Sequence, residues 1–125
     1  MNSVIVVLPG DVSLEAIAAC LEKSFTISGR DPIRLELDGA RAYVRLLAEP
    51  DDDIFDDDWQ NITRPSVASC FAIDYRDQAC PVAIVRTLMP DFGGFSVDTD
   101  FGFVLPASEF VERFQVERLT WPSDC

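Results

Sequence analysis

The sequence predicts an α+β fold, with two to three helices covering one face of a mainly antiparallel sheet. Three observations predict it. The chain opens on a short β-branched run that gives way to an apolar stripe at helical spacing. Strict two-residue alternation then runs on both sides of Asp38-Gly39. A second strand, helix and strand series fills the later part of the chain.

The first strand is Ser3 to Leu8, a short run of β-branched residues suited to a buried position. Pro9-Gly10 stops it. A helix follows with Asp11 or Ser13 as N-cap, and Leu14, Ile17, Ala18, Leu21 and Phe25 make its buried stripe. Glu15 near its start and Lys23 near its end suit the helix dipole, and Gly29 is read as the exit.

Ile33, Leu35 and Leu37 alternate with charged residues. After Asp38-Gly39, a favoured two-residue turn, Ala40, Ala42, Val44 and Leu46 alternate with Arg41, Tyr43 and Arg45. That turn sets Leu37 opposite Ala40, Leu35 opposite Ala42 and Ile33 opposite Val44 on one face. The other face sets Glu36 opposite Arg41 and Arg34 opposite Tyr43.

From Glu49 to about Pro65 no apolar period holds, which predicts a long loop. Val67 to Tyr75 is apolar at nearly every position and reads as a central strand. A second helix begins at Cys80-Pro81, with proline at its first position, and buries Val82, Val85, Leu88 and Met89. Pro90 and Gly93-Gly94 end it. Phe95 to Val97 and Phe103 to Leu105 are short strands, and Ser108 caps a last helix bearing Phe110, Val111 and Phe114. The order can be drawn as a ferredoxin-like βαββαβ variant with additions.

A chain of 125 residues fits a single domain, and 48% hydrophobic residues suffice for a core. The formal charge of −12 repels nucleic acid and anionic membranes and attracts basic proteins. No run reaches membrane-spanning length and no leader pattern opens the chain, which gives the expectation of a cytoplasmic protein. Cys20, Cys70, Cys80 and Cys125 show no CxxC spacing, so free thiols are expected, and no cofactor is implied.

The chain has no histidine, which removes Ser-His, Cys-His and His-metal chemistry and leaves carboxylates as the enzymatic option. Asp74, Asp77, Asp98 and Asp100 would converge on a divalent cation if the strands ending at Tyr75 and Val97 were neighbours. The favoured reading of the same residues is turn geometry, and no enzyme is expected. Cys80 at a helix start would be activated by the dipole, but a small residue preceding proline is the better account of it.

The segment Asp51, Asp52, Asp53, Ile54, Phe55, Asp56, Asp57, Asp58 and Trp59 sets six carboxylates around three large apolar side chains. Acid alone makes a solvated spacer. Acid interleaved with aromatic rings offers steering charge and buriable surface together, the composition of a site for a basic protein partner. Arg34, Tyr43 and Arg45, on the outer hairpin face, are a second candidate surface.

The stretch Phe92-Gly93-Gly94-Phe95-Ser96-Val97-Asp98-Thr99-Asp100-Phe101-Gly102, followed by Glu109-Phe110, resembles small immunity proteins of bacterial polymorphic-toxin and contact-dependent growth inhibition systems. The likeness covers about the last two fifths of the chain. It implies an acidic α+β protein that binds and blocks a cognate toxin domain, often a nuclease. An acidic secretion chaperone or adaptor is the alternative binding reading, and a carboxylate-metal enzyme the alternative from another class.

Overall fold

A computed structural model of the chain describes residues 2–30, 32–37, 39–47, 68–77, 79–99 and 104–116. Ten elements follow in order: β1 (Asn2–Pro9), α1 (Leu14–Leu21), β2 (Thr26–Arg30), β3 (Ile33–Leu37), β4 (Ala40–Leu47), β5 (Ala68–Tyr75), α2 (Ala79–Phe92), β6 (Ser96–Asp98), β7 (Val104–Pro106) and α3 (Ala107–Val116). The fold is α+β. The strands form one sheet in the order β2-β3-β4-β5-β1-β6-β7, and every neighbouring pair is antiparallel.

Within that order, β6-β1-β5-β4 with α1 and α2 is the ferredoxin-like βαββαβ arrangement. β5 and β6 run parallel on either side of β1, joined by α2. The β2–β3 pair widens one side of the sheet, and β7 with α3 extends the other.

The period-two pattern fixes which face is buried. Val4, Val6 and Leu8 of β1, Phe71, Ile73 and Tyr75 of β5, Ala42 and Val44 of β4, and Ile33 and Leu35 of β3 all belong to one core with the three helices. Phe71, Tyr75, Phe95 and Phe110 are its largest fully buried side chains. Each such ring contributes roughly 1.5–3 kcal/mol by leaving water. β1 also buries Val7 on the opposite face, against Cys70 and Val104. Burial on both faces explains why β1 is apolar without alternation.

The hairpin register is the expected one: Leu37↔Ala40, Leu35↔Ala42 and Ile33↔Val44, with Glu36↔Arg41 and Arg34↔Tyr43 on the outer face. Gly39 takes φ +84°, a left-handed conformation that a side chain would strain. Ser13 is the N-cap of α1, its hydroxyl accepting from the Ala16 N–H at 3.1 Å.

Several boundaries differ from expectation. Gly29 is not a helix exit. α1 stops at Leu21, and Phe25 closes the turn by donating its N–H to the Leu21 carbonyl at 2.9 Å. Lys23 therefore lies beyond the helix and pairs with Asp91 at 3.3 Å. Thr26–Arg30 is an edge strand, with a register shift between Ile27 and Gly29.

Pro81 is the third residue of α2, still inside the first turn, where backbone N–H groups lack intrahelical acceptors. Pro90 lies within α2 and does not end it. The loss of one late hydrogen bond is tolerated so near the terminus, where the Gly93 N–H reaches the Met89 carbonyl at 2.8 Å. α3 begins at Ala107, so Ser108 falls inside it and is not the cap. Strands β6 and β7 each sit one residue later than expected.

Candidate functional site

The acidic-aromatic segment, with Asp51, Asp52, Asp53, Phe55, Asp56, Asp57, Asp58 and Trp59, lies outside the described residues. Its anchorage is described. β4 ends at Leu47 and β5 begins at Ala68, on adjacent strands whose register pairs Leu47 with Cys70. Residues 48–67 therefore connect two hydrogen-bonded neighbours at one end of the sheet. Leu46, at that end, is 46% exposed and is the one large hydrophobic exposed among the described residues.

The outer hairpin face brings Arg34 and Tyr43 together as a cross-strand pair, with Arg45 two residues along β4. Arg45 is held: its Nε donates to Asp74 Oδ2 at 2.9 Å, while Ser3 Oγ donates to Asp74 Oδ1 at 2.5 Å. The Asp74 side chain is only 18% exposed, so this carboxylate ties β4, β5 and β1 together on the outer face.

Arg34 behaves differently. A Cβ built on Gly29 would meet Arg34 Cδ at 3.2 Å and Cγ at 3.4 Å, so the aliphatic stem of Arg34 lies directly over the bare glycine of β2. Gly29 thus seats this arginine, a role that its reading as a helix exit concealed. Beside the pair is an open concavity of about 250 Å³ lined by Ser28, Arg34, Glu36, Arg41 and Tyr43.

A second concavity, of about 410 Å³, lies on the other side of Arg41 and Tyr43, bounded by Gly39, Arg76 and Asp77. Arg41, placed on this face by its pairing with Glu36, and Arg76 join the candidate residues here. Arg41 shares the outward parity of Tyr43 and was legible as such. Arg76 joins only because β5 pairs with β4 through Ala42↔Tyr75.

The cation group conceived around Asp74 and Asp98 does not form. β5 and β6 are not neighbours, because β1 lies between them. Asp74 is opposite Ser3 whereas Asp98 is opposite Ile5, so the two carboxylates are separated across a strand and along it. Among the described residues no group of three His, Cys, Asp or Glu is placed to hold a metal; Asp100 lies outside them.

Asp77 has a local role, its Oδ1 accepting from the Ala79 N–H at 2.9 Å at the start of α2. Cys80 is fully buried, and burial, then the nearby Asp77 charge, raise its pKa. That opposes an activated thiolate. Burial, with Asp91 adding to it, pushes the Cys20 thiol up to about 12, and Cys20 Sγ donates to the Thr87 carbonyl at 3.5 Å. Cys20, and then Lys23, hold the Asp91 carboxyl below its ordinary value.

No described helix is long and apolar enough to cross a membrane. The chain matches no protein-family model, no curated protein and no solved structure.

Proposed function

We propose that this chain is an immunity protein, a stoichiometric inhibitor that binds a cognate bacterial toxin domain and neutralises it. The observation that carries the reading is the acidic-aromatic segment 51–59, set in a twenty-residue connection between two strands locked in register. The main core among the described residues already draws on all ten elements. The partner is a basic domain, most simply a nuclease, because an enzyme that handles phosphate presents cationic groups to it. Asp51, Asp52, Asp53, Asp56, Asp57 and Asp58 pair with that surface, and Phe55 and Trp59 supply apolar anchors. The absence of histidine and the separation of Asp74 from Asp98 support binding over catalysis.

The test is co-expression with the candidate toxin, followed by association kinetics. The wild-type chain should protect cells and bind with a rate that falls as salt rises. Replacing the six aspartates by Asn should slow association at low salt by roughly 10-fold or more and flatten its salt dependence. An on-rate unchanged across ionic strength and sequence would overturn the assignment of the segment. Tight binding without loss of toxin activity would identify a chaperone or adaptor instead.

A further inference from the structure

We infer that the outer face of the β3–β4 hairpin is a second docking surface, built to receive a short carboxylate-rich segment of a protein partner. Four of the chain's nine arginines, Arg34, Arg41, Arg45 and Arg76, gather around Tyr43 in a molecule whose net charge is −12.

Their charges are not equally available. Arg45 is engaged by Asp74, and Arg41 sits 3.4 Å from Glu36 with both side chains more than half exposed. Arg34 and Arg76 are exposed and make no ion pair with any described residue. Among the described residues lining its concavity, the one acidic neighbour of Arg76 is Asp77, which has an oxygen committed to the start of α2. Two guanidinium groups with no ion pair among the described residues thus flank a half-buried tyrosine ring, with an open concavity on each side.

The chemistry selects the occupant. Guanidinium forks match carboxylates in bidentate geometry, and Arg34 is partly pre-ordered because its stem lies on Gly29. The tyrosine ring offers apolar contact at low entropic cost. The overall negative field opposes any anion, but a long polyanion such as nucleic acid meets far more of it than a segment short enough to stay on the patch. The inference deepens the partner-binding reading above, and its test needs no toxin, so the two can fail separately.

The probe is a synthetic twelve-residue peptide of alternating Glu and Ser, titrated at low salt into the full chain and followed by NMR, including the arginine Nε signals. Saturable shifts should centre on Arg34, Arg41, Tyr43 and Arg76. The R34S/R76S variant should lose at least about tenfold in affinity, while R86S/R113S, with the same change of charge on helices α2 and α3, should keep it. Four results would overturn the inference: no saturable shift, equal loss in both variants, inorganic phosphate binding as well as the peptide, or peptide-independent self-association through the patch. Circular dichroism of each variant confirms that the comparison is between folded chains.

Discussion

Asp74 ties three strands together on the outer face, and its removal has a calculable cost. Asp74→Ala deletes the acceptor of the Ser3 hydroxyl, bonded at 2.5 Å, and the counter-ion of Arg45 at 2.9 Å. A hydrogen bond to a charged, mostly covered carboxylate contributes about 1.5 kcal/mol. The ion pair is worth only about 0.5 kcal/mol, because Arg45 is half exposed and solvent screens it. The substitution should therefore destabilise the fold by roughly 2 kcal/mol.

Double-mutant cycles separate the parts. Ser3→Ala with Asp74→Ala should couple by about 1.5 kcal/mol, and Arg45→Ala with Asp74→Ala by about 0.5 kcal/mol. Urea denaturation followed by circular dichroism reads both, and an unchanged m-value shows that the unfolded state is unaffected. A Ser3–Asp74 coupling of about 0.3 kcal/mol or less, within ordinary non-additivity, would refute the claim that this contact carries stability.

Glycine substitutions should separate two roles in the hairpin region. Gly39→Ala forces a side chain into φ +84° and should cost about 1–2 kcal/mol in chemical denaturation. Gly29→Ala meets only the flexible stem of Arg34, so it should change stability by no more than about 0.5 kcal/mol while shifting the Arg34 Nε resonance. The buried thiols predict an alkaline limit. Cys20 and Cys80 both have folded pKa values above the ordinary thiol value of 9.0, so their contribution is whole below that pH and drains away above it, for Cys20 as pH rises to about 12. Thermal midpoints should fall across that window, and Cys20→Ala should shallow the fall. Iodoacetamide at about pH 8 should label neither thiol in the native chain and both in urea.

Much of the architecture was legible because local signals agreed. Asp38-Gly39 with clean alternation on both sides fixed the hairpin to the residue, and the mostly apolar run from Val67 to Tyr75 marked a central strand. β2 was missed because Thr26-Ile27-Ser28-Gly29-Arg30 has one large apolar residue; its place comes from pairing with β3, a tertiary term no periodicity carries. Strand order was equally hidden. Whether β6 lies beside β5 or across β1 depends on how α2 crosses the sheet, and that choice decided whether Asp74 and Asp98 meet. On the outer face, Arg34, Tyr43 and Arg45 were readable from parity, but the capture of Arg45 by Asp74 and the arrival of Arg76 needed the third strand.

The two lateral margins of the sheet bear on how the chain survives at high concentration. One margin is a five-residue strand dislocated between Ile27 and Gly29; the other is a three-residue strand finished by Pro106, which has no N–H to offer. Neither supplies the long, flat ladder on which a stray strand could template fibril growth. Among the described residues, the sheet's margins thus give a second copy little to build upon, which favours a chain that stays dispersed when concentrated.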